Sequence, residues 1–173
     1  MNILKFKRFI GRTDTFAMQL DKGAYIPIRK SMGDAEITKH LKGEKTYGTY
    51  VIREDGKVTF GVIDIDGDPN YLPALERLGN IVYDSFPKHS RVLEFSGRKG
   101  YHIWVFFKQP ENPAFVKELI KTRLKRIGLK NIEIFPKQDR VTGKGLGNLI
   151  KLPFGIHQVS GKWSKLIKEE WLE

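Results

Sequence analysis

Val58-Thr59-Phe60-Gly61-Val62-Ile63-Asp64-Ile65-Asp66 is a short apolar run, rich in β-branched residues, that ends in two carboxylates and meets the breaker Gly67-Asp68-Pro69. Length and composition predict a buried strand rather than a helix. On a strand, residues i and i+2 share a face, so Asp64 and Asp66 project together, roughly 6.5–7 Å apart along the backbone. Paired carboxylates repel unless a proton or a cation lies between them. Two divalent ions about 3.5–4 Å apart relieve that repulsion and form a recurrent clamp for in-line phosphoryl displacement. A bare Asp-x-Asp is equally compatible with a strand running out into an acidic turn, so the neighbouring segments decide.

Downstream of the strand, Leu72, Leu75, Leu78, Val82 and Phe86 recur at helical spacing and predict a helix over 71–86. Arg91 to Phe95 and Tyr101 to Phe107 read as strands. Asn112-Pro113 supplies a cap and a first-turn proline for a helix that Gly128 ends. Phe115, Leu119, Ile120, Leu124 and Ile127 are its expected buried face. Asn131 to Phe135 and Leu149 to Leu152 are further strands. The resulting order is a split β-α-β-β-α-β arrangement, as in RNA-recognition-motif and ferredoxin-like folds, within an α+β class. Residues 58–173 form this RRM-like palm, and 1–57 an N-terminal α/β module of the same single domain. In that module, Asn2 to Ile10 reads as a helix, Phe16 to Leu20 as extended, and Ala35 to Leu41 as a helix capped by Asp34. Tyr47 to Arg53 and Lys57 to Asp66 flank the hairpin signal Asp55-Gly56.

The chain of 173 residues can bury a sizeable core, and 40% hydrophobic content excludes disorder. Lys and Arg exceed Asp and Glu by 31 − 20 = 11. This excess points to a polyanionic partner, nucleic acid above membrane, although a solvated Lys- and Glu-rich surface has the same signature. No apolar run is long enough to span a bilayer, no signal peptide is visible, and cysteine is absent. Together these predict a cytoplasmic protein without disulfides or a thiolate zinc site.

A second chemical motif joins the two middle strands: Ser96-Gly97-Arg98-Lys99-Gly100-Tyr101-His102. Gly97 and Gly100 permit positive φ, which lets backbone N–H groups converge on an anion. Arg98 and Lys99 add charge and Ser96 a hydroxyl, so a triphosphate is the natural guest. Alternation puts His102, Trp104 and Phe106 on one face. A third motif is Ile132-Glu133-Ile134-Phe135-Pro136-Lys137-Gln138, where an acid interrupts an apolar strand and therefore needs solvent or a partner. Asp139 competes with Glu133 as a third carboxylate; the strand position favours Glu133. Leu149 to Leu152 then carries an inward Lys151, with His157 beyond its exit.

These blocks resemble the catalytic core of the archaeo-eukaryotic primase superfamily, the primase-polymerases. The match lies in Asp64-Ile-Asp66, in Ser96-Gly-Arg-Lys-Gly-Tyr-His102, and in the Glu133 strand followed by Asn148-Leu-Ile-Lys151-Leu-Pro-Phe-Gly-Ile-His157. Phe9-Ile-Gly-Arg12-Thr-Asp14 and Glu133-Ile-Phe-Pro-Lys-Gln138 resemble the bacterial subgroup found in conflict and CRISPR-associated systems. The resemblance implies a template-dependent nucleotidyltransferase that makes and extends primers on single-stranded DNA from NTPs or dNTPs, using two Mg²⁺ or Mn²⁺ ions. It implies that Asp64, Asp66 and Glu133 hold the metals, and that Ser96, Gly97, Arg98, Lys99, Gly100 and His102 bind the triphosphate with Lys151 and His157 near. Arg12, Lys137 and Asn148 would follow the template, with Tyr47, Tyr50 or Tyr101 stacking on bases. The expected form is a monomeric core, alone or within a larger defence-system protein. The rivals are a non-catalytic RRM-like single-strand-binding domain and a metal-dependent nuclease.

Overall fold

The computed structural model describes residues 2–171; positions 1, 172 and 173, the outer limits of the expected domain, lie outside them. The chain runs α1 (Ile3–Phe6), a 3₁₀ turn (Lys7–Phe9), β1 (Phe16–Gln19), β2 (Tyr25–Ile28), α2 (Asp34–Leu41), β3 (Tyr47–Tyr50) and β4 (Val58–Asp66). It continues through α3 (Leu72–Asp84), β5 (Arg91–Phe95), β6 (Gly100–Glu111), α4 (Pro113–Arg126), β7 (Glu133–Phe135) and β8 (Leu149–Lys151). A short hairpin, β9 (Ile156–His157) and β10 (Lys162–Trp163), precedes the edge strand β11 (Lys165–Glu170).

The palm sheet has the order β11-β5-β6-β4-β7. Without β11 this is the split β-α-β-β-α-β topology read from periodicity, with the first and third strands, β4 and β6, adjacent at its centre. The architecture is thus α+β with an RRM-like palm. Helices α3 and α4 cover one face. A Cβ at Gly61 would lie 2.9 Å from Val116 Cγ1 and would overlap closely with Ile120 Cδ1, so this glycine lets α4 settle onto β4. The packed stripe of α4 is Val116, Ile120 and Leu124, preceded by Pro113. Phe115 is 52% exposed, contrary to the expected buried face, because the stripe repeats every four residues from 116 and leaves 115 one position off it.

The opposite face packs on aromatic rings. Phe9 meets Trp104 edge-on with centroids 5.0 Å apart, and Phe60 meets the same indole at 5.0 Å. Beyond this cluster lies the second sheet, β2-β1-β3-β8. Arg53 and Lys57 close the predicted turn through an N–H···O bond of 2.9 Å. Yet β3 and β4 do not form a hairpin: β3 pairs with β1 and β8, and β4 with β6 and β7. The turn therefore hands the chain from one sheet to the other. Strand β8 returns from 100 residues later in the chain to complete the N-terminal sheet, with Gly48 opposite Lys151.

Candidate active site

Antiparallel register assembles the centre. Along β4 and β6, Asp64 stands opposite His102 and Asp66 opposite Gly100; on the other side of β4, Asp64 stands opposite Glu133. The two aspartates thus share a face with the basic turn that joins β5 to β6. Lys99 Nζ lies 2.7 Å from Asp66 Oδ2, and His102 Nε2 lies 3.6 Å from Asp64 Oδ1. The two glycines of the turn serve different needs. Gly97 has φ +89°, the expected left-handed backbone, and a Cβ there would crowd the Lys162 carbonyl. Gly100 is needed for close approach instead: a Cβ would overlap the Ile65 carbonyl oxygen and come within 2.6 Å of Asp66 Oδ1.

A cavity of about 320 Å³ opens here. Asp64, Asp66 and His102 form one wall, Ser96, Arg98 and Lys99 another, and Lys151 of β8 and His157 of β9 contribute from the far side. Gln19, Gly23 and Tyr25 of the N-terminal sheet close it. Burial, followed by the charge of Glu94, holds the Tyr25 phenol well above its usual range.

Beneath the cavity sits Glu94, with no exposed surface. Its Oε2 accepts hydrogen bonds from Trp104 Nε1 at 2.8 Å and from His102 Nδ1 at 3.0 Å, and its Oε1 lies 3.8 Å from Lys151 Nζ. Burial opposes its charge, but His102 and then Lys151 outweigh burial and lower its pKa. Burial likewise opposes protonation of His102, while Glu94 and then Asp64 raise its pKa. Lys151 is lowered by burial against the pull of Glu94, and His157 by burial, then Lys151 and Arg98. Asp64 is pushed up to about 6 by burial first, with Asp66 and Glu133 adding repulsion against the opposing pull of His102. Glu94 did not figure in the sequence reading. Its signal was the one that marked Glu133, an acid inside an apolar strand.

Glu133 stays beside the centre, while the other candidates are dispersed. Glu133 is exposed beside Asp64, and its carboxylate is held by Lys137. Asp139 is drawn to Lys117 of α4. Asn148 accepts from the Lys137 N–H at 3.1 Å, near but not within the cavity wall. Arg12 pairs with Asp14 at 2.6 Å on the N-terminal segment. Tyr47 and Tyr50 are buried in β3, and Tyr101 turns to the helical face, where its hydroxyl donates to Glu76 at 2.9 Å. None of these four residues lines the cavity.

Four buried side-chain polar atoms lack a hydrogen-bond partner among the described residues, and three of them, Asp64 Oδ1, Glu94 Oε1 and His157 Nδ1, belong to this cluster. Oxygen donors with an orphaned, proton-hungry carboxylate suit a hard divalent cation. Among the described residues, however, no group of three or more His, Asp or Glu is already arranged as a metal centre. Asp66 and Glu133 are paired instead with the ammonium groups of Lys99 and Lys137.

The family described as "TOTE conflict system, Archaeo-Eukaryotic Primase domain" matches residues 2–173. Among solved structures, the chain is similar to the AEP domain (PP-N190) of the cyanophage S-2L primase-polymerase. The TM-score is 0.54 and the identity 15%, over 90% of this chain and 81% of that one, a likeness of fold. No curated protein matches. Among the described residues no helix is long and apolar enough to cross a membrane.

Proposed function

Since the chain belongs to the archaeo-eukaryotic primase domain family of TOTE conflict systems, we propose that it is a primase-polymerase-type nucleotidyltransferase that starts and extends strands on single-stranded DNA from NTPs or dNTPs. The observation that carries this reading is the register placing Asp64 and Asp66 against the Ser96–His102 turn, with Lys99 2.7 Å from Asp66. Carboxylates that want cations and a turn that wants anions meet in one cavity, which is the pairing a nucleoside triphosphate requires.

In this reading Asp64, Asp66 and Glu133 would hold Mg²⁺ or Mn²⁺. Bound there, the ions supply Lewis acidity toward the attacking 3′-hydroxyl and charge neutralisation for the departing pyrophosphate. The protein's own share is positioning and electrostatics. Ser96, Arg98 and Lys99 grip the phosphates. His102, anchored through Nδ1, presents Nε2 toward the same space. Lys151 brings its ammonium up from β8, next to His157. Gln19 and Tyr25 flank the cavity on the side left for base and sugar.

The test incubates the protein with single-stranded template, labelled nucleotides and Mn²⁺, without a primer. Products from the wild type, and a loss of about 10³-fold or more in Asp64→Ala/Asp66→Ala, are expected, the scale of several kcal/mol of charge stabilisation. The engagement of Asp66 and Glu133 by lysines favours one rival, a single-strand-binding domain without catalysis. That rival predicts metal-independent binding, no products, and no effect of the aspartate changes.

A further inference from the structure

A second cavity, of about 710 Å³, opens at the far end of β4 and β6. None of its lining residues is used by the reaction above, and Ile10 and Thr13 come from the Phe9–Asp14 motif. Ile10, Met32, Phe106 and Phe107 form an apolar floor, and Thr13, Ser31 and Thr59 add hydroxyls. The charged residues lining it are Lys7, Arg8, Arg53 and Lys108, with no Asp or Glu. Lys7 and Arg53 are engaged by Asp34 and Asp55 outside the walls, and Glu54 is taken up by Thr13 and the Asp14 N–H. Arg8 and Lys108 form no ion pair among the described residues; Arg8 lies over the Trp171 ring at 5.9 Å.

The contrast with the active-site cavity identifies the guest. There, cations converge from one turn onto one anion and two carboxylates face them. Here, the cations come from separate segments and flank an aromatic floor, which suits repeated phosphates with planar bases between them. Thr59 precedes Asp64 by five residues on β4, about 16 Å along the strand, and the odd spacing turns it to the opposite face, so the two cavities are separated by the end of the sheet as well as by that length. One nucleotide cannot reach both, whereas a strand can. We propose that this cavity is a second contact for single-stranded nucleic acid, with unpaired bases set against Phe107 and phosphates held by Arg8 and Lys108. The proposal deepens the nucleotidyltransferase reading, on which the strand's continuation to Asp64 and Asp66 rests; the binding itself is measured apart from turnover.

The test is fluorescence anisotropy of a labelled oligothymidylate without metal, beside binding of a labelled nucleoside triphosphate with metal. Arg8→Glu/Lys108→Glu changes two exposed residues, and circular dichroism checks its fold. It should weaken oligothymidylate binding about 10-fold or more and reduce the slope of log affinity against log salt by about 1.4, leaving triphosphate affinity unchanged. Phe107→Leu keeps apolar volume but removes the ring, and should weaken the oligonucleotide about 5-fold. Lys121→Glu/Lys125→Glu, on another basic cavity with an aliphatic floor, should do less. Equal loss in that control would make the effect diffuse surface charge and overturn the site. So would unchanged oligonucleotide binding in both cavity variants. A matching loss of triphosphate affinity would reassign the cavity to a free nucleotide. Absence of primer synthesis with these binding results intact would count against the enzymatic reading alone.

Discussion

Two buried histidines, His40 at the junction of the N-terminal module and His102 in the active-site cluster, are driven in opposite directions by their surroundings. His40 has no exposed surface and is held by neutral backbone groups: the Tyr47 N–H donates to Nδ1 at 3.0 Å, and Nε2 donates to the Pro153 carbonyl at 2.9 Å. Burial, followed by the charge of Lys151, pushes its pKa down to about 4. His102 is nearly as buried, but its partners are the carboxylates of Glu94 and Asp64, and its pKa rises. Burial alone therefore does not fix a side chain's charge; the partner does. The junction is built from neutral hydrogen bonds and packing, the site from opposed charges.

Among single substitutions, the largest expected effect belongs to the neutral region and is a stability effect. The folded-state pKa of His40 lies below the unfolded value, so unfolded chains bind the extra proton between about pH 6.5 and pH 4. Stability contributed by the neutral ring is complete above 6.5 and is lost as pH falls toward 4, by about 3 kcal/mol in total. Denaturant titrations across that window should show this loss as the difference between wild type and His40→Gln, because Asp64, raised to about 6, adds a slope of opposite sign to both. His40→Gln should start from a lower stability and lack the downward contribution toward acid pH. An unchanged slope would mean that His40 does not set the acid limit and that the two histidines are not opposites.

The same division governs what could be read from sequence. The shared face of Asp64 and Asp66 and the turn from Ser96 to His102 are local patterns of strand period and glycine spacing, so both were visible within a few residues. The palm order was visible for the same reason. What closes the cavity was not: Gln19 comes from β1 and Tyr25 from β2, and they reach the site only through the chain of pairings β1–β3–β8, the last joining residues about 100 apart. Strand β11 was missed because Lys-Leu-Ile-Lys-Glu-Glu has the charge pattern of a solvent-facing edge, paired on one side only with β5. The hairpin of β9 and β10 is too short for any periodicity. Glu94 carried a signal, but its alternative, an acid turned to solvent, is excluded only once His102 and Lys151 are seen around it.

Glu94→Gln tests the charged region by keeping shape and an acceptor while removing the charge. His102 then loses the anion that orients Nδ1, and Lys151 is left with its neighbour neutral. Nucleotide incorporation should fall about 10–100-fold, the scale for groups that orient the residues touching a reacting centre. The comparison sharpens if His40→Gln lowers stability with little change in incorporation per folded molecule, whereas Glu94→Gln lowers incorporation in a chain still folded at the assay temperature. If Glu94→Gln lowers melting temperature and leaves incorporation intact, the buried carboxylate is structural only.

The smallest effect is expected where the two regions touch. The β9–β10 hairpin spans them with neutral bonds: the Thr46 hydroxyl donates to the Ile156 carbonyl, Gln158 Nε2 donates to Thr46 Oγ1 at 2.8 Å, and Ser160 Oγ donates to the Gly97 carbonyl at 2.7 Å. The last bond braces the basic turn at the residue whose positive φ shapes it. Ser160→Ala removes a neutral hydrogen bond in a half-buried setting, worth about 1 kcal/mol. The turn should loosen enough to weaken triphosphate binding a few-fold, about 5-fold at most on that energy. Because no charge changes, the pH dependence of binding should keep its wild-type midpoint. A shifted midpoint would show that the hairpin tunes the charged cluster as well as its shape, and the line between the neutral and the charged halves of the molecule would have to be redrawn through β9.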